Sequence, residues 1–146
     1  MSATAAHEQL RSTCDRVLGP VWIGGDLAQL PAGVRAVVTL EATAPPVARE
    51  GVTEHRFPFR DSRWEPVPRQ PLEAAVEAVV QAQRSVLVRC QYGLNRSALV
   101  LCLALPWMST TRRRDAISHI RRARPGAITN PYFADLIRSY PQEPSR

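Results

Sequence analysis

The sequence predicts an α/β domain: a central, largely parallel sheet of four to five strands flanked by helices. Three observations carry that expectation. Short runs of β-branched and apolar residues alternate with longer segments of helical period. The run SVLVR (85–89) is apolar almost to its end, as a strand buried on both faces would be. The segment after it, SALVLCLAL (97–105), is apolar all round, as a helix enclosed by its own domain would be.

The elements can be justified in chain order. GPVWIGG (19–25) reads as a short strand closed by glycines, and GVRAVVTL (33–40) as a buried strand. EATAPPVAREG is a proline-broken loop. EHRFPFRD then sets His55, Phe57 and Phe59 on one face and delivers Asp61 to a loop. PLEAAVEAVVQAQ starts a helix at Pro71, with Leu72, Ala75, Val76 and Val79 on one stripe and Glu73, Glu77 and Gln81 outside. After the 85–89 strand and the apolar helix, Pro106 is expected to end that helix. The segment 111–122 keeps Ala116, Ile117 and Ile120 under a dense arginine surface. In NPYFADLIRSY, Asn130 caps a final helix whose buried stripe is Phe133, Leu136, Ile137 and Tyr140.

The 146 residues suit one domain, with its core at about 19–140 and flexible ends, since a chain of this size buries roughly two-thirds of its unfolded surface. An apolar content of 45% with 22% charged residues excludes a disordered chain. No amino-terminal run has signal-peptide length, and the longest apolar run, 98–108, is too short to span a bilayer, so a soluble, cytoplasmic protein is expected. Three cysteines, Cys14, Cys90 and Cys102, argue for reduced thiols rather than a disulfide framework. Without a C-x-x-C pair or a histidine cluster, no metal and no cofactor is expected. The net charge of +6 rests on arginine alone, for the chain has no lysine. That balance fits a G+C-rich coding sequence better than nucleic-acid binding, because the arginines around 112–124 lack interleaved aromatics.

The chemistry concentrates in RCQYGLNRS (89–97). A cysteine six positions before an arginine is weak evidence in so arginine-rich a chain. With Gly93 and Ser97 added, the pattern arises by chance in only about two such chains per thousand. A loop between a strand's carboxyl end and a helix's amino end can aim its N–H groups into a bowl, where the first-turn donors and the helix dipole favour an anion. Gly93 permits a positive φ there, and Arg96 offers a planar fork to two oxygens of a phosphate. These surroundings should favour the thiolate of Cys90 over the thiol, as they do around activated cysteines. Ser97 can hydrogen-bond the sulfur as it leaves. Gln91, Tyr92, Gly93, Leu94, Asn95 and Arg96 would then form the phosphate-binding loop.

VLVRCQYGLNRSALV resembles the signature loop of the cysteine-dependent protein tyrosine and dual-specificity phosphatases, H-C-x-x-G-x-x-R-[ST] after a buried strand. VWIGG resembles the family's first strand, GVRAVVTL its next core strand, and AISHIRRARPGAITNPYF its downstream helix, arginine-proline turn and asparagine-to-phenylalanine segment, so that the likeness runs from Gly19 to Tyr140. The resemblance implies a metal-independent phosphomonoesterase working through a phosphocysteine on phosphorylated proteins or peptides; a monomer is expected. It places the general acid at Asp61, 29 positions before Cys90, and Arg124 near the mouth of the site, with Arg63 and Trp64 as further candidates for that mouth. The family's histidine before the nucleophile is replaced by Arg89, whose longer, charged side chain either orders the loop differently or turns outward. Two alternatives stand beside the phosphatase: removal of 5′ phosphates from RNA, since GLNRS also resembles the related RNA phosphatase loop, and a phosphate-binding module with weak catalysis.

Overall fold

The computed structural model describes residues 3–82, 85–141 and 144. The chain begins with α1 (Ala3–Gln9) and a single 3-10 turn at Leu10–Ser12, followed by β1 (Cys14–Leu18), β2 (Val21–Gly24), β3 (Ala36–Thr39), β4 (Thr53–Arg56), α2 (Arg69–Ala82), β5 (Val86–Arg89), α3 (Arg96–Met108), α4 (Arg113–Ala123) and α5 (Pro131–Ser139). The strands form one sheet in the order β1-β2-β5-β3-β4. β1 pairs with β2 antiparallel; β2, β5, β3 and β4 run parallel. The α/β class read from the sequence is the observed one.

β5 lies at the centre, between β2 and β3, and each of its residues is buried. The register aligns Gly24, Arg89, Thr39 and Arg56 along one edge of the parallel strands. The loops that follow these four strands therefore all emerge at the same edge, which is where parallel sheets place their ligands. Alternation along β5 sends Val86 and Val88 into the larger apolar cluster, with Leu72 and Val79 of α2, the whole middle of α3, Ile120 of α4 and Phe133 and Ile137 of α5. Leu87 faces the opposite side, where it joins Val34 and Val37 under loops rather than helices.

Four local expectations are corrected. β4 ends at Arg56, not at Asp61: Phe57 and Phe59 still donate to the carbonyls of Thr39 and Leu40, but the second bond has lengthened to 3.4 Å, and Pro58 sits where an edge strand tolerates it. Pro106 does not end α3, which runs to Met108 and closes where Ser109 returns both its N–H and its hydroxyl to the Leu105 carbonyl. The amino-terminal segment, expected as a flexible end, supplies α1 and the edge strand β1, whose burial pattern shows no clean alternation to read. α2 starts at Arg69, two residues before Pro71, which still lies in the first turn; Gln83 lies outside the described residues.

Candidate active site

Residues 90–95 join the end of β5 to the start of α3. The Cys90 N–H donates to the Gly24 carbonyl at 3.3 Å, continuing the sheet register one step. Beyond it the loop carbonyls are held from outside: Gln91 accepts from the Asp26 N–H at 3.2 Å, Tyr92 from Arg124 at 2.8 Å and Leu94 from the Ile128 N–H at 2.7 Å. The amides of residues 91–95 donate to no group among the described residues. With three of the loop's peptide oxygens tied to the scaffold, its unpaired N–H groups and those of the first turn of α3 make a nest available to an anion. Gly93 makes this turn at φ +67°. A Cβ there would lie 2.6 Å from the Gly24 carbonyl carbon and 3.0 Å from an Arg124 nitrogen.

The Cys90 side chain is almost wholly buried, and its Sγ lies 3.0 Å from Ser97 Oγ. Neither Ser97 nor Asn95 spends its side chain on capping the helix. Arg96 is anchored by three bonds: Nη1 donates to the carbonyls of Leu40 (3.4 Å) and Phe59 (3.2 Å), and Nη2 to Glu41 Oε2 (3.0 Å). A guanidinium has five N–H donors, so two remain, and Nε is buried with no partner among the described residues. Burial works against ionisation of Glu41, but the charge and hydrogen bonds of Arg96 and the bonds from Thr43 outweigh it and hold the carboxyl below its ordinary range. Sequence reasoning missed Glu41. The available signal was an acidic residue directly after a buried parallel strand, at the ligand edge.

Asp61 sits on the loop after β4 and faces the nest. Its Oδ2 accepts from Asn95 Nδ2 at 3.0 Å and its Oδ1 from Asn130 Nδ2 at 2.8 Å. Asn130 also accepts the N–H groups of Tyr132 and Phe133, so it caps α5 and holds the aspartate at once. Cys90, Arg96, Asp61, Tyr92, Leu94 and Asn95 all line one cavity of about 560 Å³, together with His7 and Leu10 from the amino-terminal segment, Arg63, and Pro125, Gly126, Thr129 and Asn130. His7 packs against the Tyr92 ring with centroids 4.1 Å apart.

Two sequence-based placements change. Arg124 is not at the mouth: it is 1% exposed and clamps the loop from below, binding the carbonyls of Tyr92 and Leu10, Thr13 Oγ1 and Asp15 Oδ2. Trp64 is 91% exposed and takes no part in lining the cavity, whereas its neighbour Arg63 does line it.

Arg89 neither turns outward nor touches the loop it precedes. By strand alternation it lies on the face opposite Cys90, buried, with Nε donating to Thr39 Oγ1 at 3.0 Å, Nη1 to the Asp26 carbonyl at 2.9 Å, and Nη2 to Glu54 Oε2 at 2.9 Å and to the Pro45 carbonyl at 2.5 Å. Burial alone would raise the Glu54 carboxyl, but hydrogen bonds from Thr39, the Val47 N–H, Arg89 and Arg56 outweigh it and bring its pKa down to about 2. Cys14 and Cys102 are free thiols, as is Cys90. Burial pushes Cys102 well above the ordinary thiol range.

A thiol, an arginine and a nest of amides on one strand-to-helix loop, facing a carboxylate, define the cysteine-dependent phosphatase class, and relatives agree. The chain is 33% identical over 126 residues to human dual specificity phosphatase 28, covering 84% of this chain and 72% of that protein. A crystal structure of human dual specificity phosphatase 28 superposes with a TM-score of 0.69 at 29% identity, covering 87% of this chain and 91% of that one. A mouse dual specificity phosphatase complexed with zinc tungstate gives 0.72 at 29% identity, covering 88% and 86%. The human tyrosine phosphatase-like serine/threonine/tyrosine-interacting protein shares the fold at 0.72 with 16% identity, over 89% and 96% of the two chains. No protein-family model matches the sequence. The chain belongs to the dual-specificity phosphatase family.

Proposed function

We propose that the protein hydrolyses phosphomonoesters of proteins or peptides, phosphotyrosine foremost with phosphoserine and phosphothreonine admitted, through a phosphocysteine at Cys90. One observation supports the residue roles: Cys90, Arg96 and Asp61 line a single cavity, where Arg96 Nε and the N–H groups of residues 91–95 have no partner among the described residues. The phosphoryl group rests in the nest of residues 91–96, its charge met by Arg96 and the α3 amino terminus. The Cys90 thiolate attacks phosphorus; the P–S bond forms as the ester P–O bond breaks, and Asp61 gives its proton to the leaving oxygen. Asp61 then takes a proton from water, whose oxygen attacks phosphorus. The P–S bond breaks, and the Ser97 hydroxyl donates to the sulfur as it leaves, releasing inorganic phosphate.

No metal takes part in these steps, so turnover should persist in chelator. The test is hydrolysis of an aryl phosphate with Cys90→Ser, Arg96→Ala and Asp61→Asn beside wild type. Cys90→Ser and Arg96→Ala should lose activity, and Asp61→Asn should fall by about 100-fold or more, the range of a lost general acid. Acid-stable phosphate bound to wild type but not to Cys90→Ser would mark the covalent step. Full activity in Cys90→Ser would sink the reading. We place the protein in the cytoplasm as a monomer; no helix among the described residues is long and apolar enough to cross a membrane.

A further inference from the structure

We infer that Asn95 is a positioning residue for the acid step, holding the Asp61 carboxyl over the nucleophile from within the phosphate loop itself. This rests on Asp61 being the general acid. Asn95 stands at the amino-terminal cap of α3 yet makes no capping bond. Its Oδ1 instead accepts the N–H groups of Thr129 (2.8 Å) and Asn130 (3.0 Å), and its Nδ2 donates to Asp61 Oδ2 (3.0 Å) and Thr129 Oγ1 (2.9 Å).

The orientation of the amide follows from chemistry. Backbone N–H groups can only donate, so the atom facing Thr129 and Asn130 must be oxygen, and the atom facing Asp61 must be the NH2. Asn130 is fixed likewise, because its Oδ1 accepts two helix N–H groups. Asp61 is otherwise an exposed side chain on a loop, free to spread over several rotamers. Between two amides that cannot turn, both its oxygens are bonded on the cavity side. The acid loop is thus docked to the phosphate loop before substrate arrives. In the first step the proton leaves the Asp61 carboxyl for the ester oxygen, and the Asn95 donor remains on the carboxylate that results.

The test uses a series of aryl phosphates graded by the pKa of the phenol released, since a good leaving group needs little protonation and a poor one needs it fully. Asp61→Asn should slow the poor leaving groups more than the good ones. Asn95→Ala should tilt the series in the same direction, by about 10-fold between its ends. In the Asp61→Asn background it should add no further tilt. Asn95→Asp keeps the acceptor for Thr129 and Asn130 but sets a carboxylate against Asp61, so it must tilt the series too; it also serves if the alanine variant folds poorly. A loss uniform across the series, with weaker inhibition by inorganic phosphate, would make Asn95 a shaper of the loop only and overturn the inference. If Asp61→Asn itself produces no tilt, the assignment of the acid fails instead. A tilt in Asp61→Asn without one in either Asn95 variant refutes this inference alone.

Discussion

At the residue scale the decisive fact is that two arginines of the loop region serve opposite ends. Arg96 lines the cavity with its Nε unpaired among the described residues, while Arg89 is consumed by the scaffold on the far face of β5. The Arg89–Glu54 pair is well buried, with side chains 5% and 14% exposed. Arg89 also serves the Asp26 and Pro45 carbonyls, while Glu54 keeps Arg56, at 3.1 Å, as a second cation. Arg89→Ala should therefore destabilise the fold by about 1 to 3 kcal/mol, chiefly by leaving buried acceptors without a donor, and adding Glu54→Gln should recover part of that loss. Chemical denaturation of the two variants checks it; equal stability of Arg89→Ala and wild type would show that the pair holds nothing. Gly93→Ala is constrained by φ as well as by space. It should cost about 1 to 3 kcal/mol and lower turnover, because the only relief is to move the loop off Gly24.

At the scale of elements, the site depends on what the helix termini do with their caps. α5 begins at Asn130, whose oxygen caps the helix and whose NH2 fixes Asp61. Asn130→Ala should thus lose about 1 kcal/mol of cap stability and, separately, lower the rate on poor leaving groups. Asn130→Ser retains a cap acceptor but is too short to reach Asp61, so it should keep most of the cap stability and lose the rate. Measuring melting temperature and turnover on both variants separates the two roles. The clamp at Arg124 works between elements as well: the end of α4 is joined through one buried guanidinium to the amino-terminal segment and to Tyr92 of the loop. His7 and Leu10 reach the cavity because that segment is tied there.

Over the whole molecule, the parallel register gathers the loops after four strands at one edge, and the same edge holds the acid-sensitive carboxylates. Glu54 has an ordinary value of 4.5 and a folded value of about 2. A depressed folded pKa contributes stability that is complete above the unfolded value and is lost as pH falls through the folded one. Between about pH 5 and pH 2 the fold should therefore lose on the order of 3 kcal/mol through Glu54. Glu41, lowered by Arg96, adds to the loss with the same sign. Unfolding followed across that range should be less steep for Glu54→Gln, and an unchanged slope would contradict the assignment.

By itself the sequence determined the class of fold and the signature loop. Both are local: continuous apolar runs mark β5 and α3, and Cys90, Gly93, Arg96 and Ser97 lie within eight consecutive positions. It also determined the cap at Asn130, since asparagine before proline at the head of an amphipathic run is a short-range signal. Only the tertiary structure decided the partners. Glu41 meets Arg96 across 55 positions, Asn95 meets Asp61 across 34, and Arg89 meets Glu54 across 35. Arg124 looked like a cation at the mouth because its charge is visible in sequence and its burial is not. Such contacts are set by the crossing of strands and loops in space, and a guanidinium does not announce, along the chain, whether its donors will be spent on the scaffold or left for a ligand.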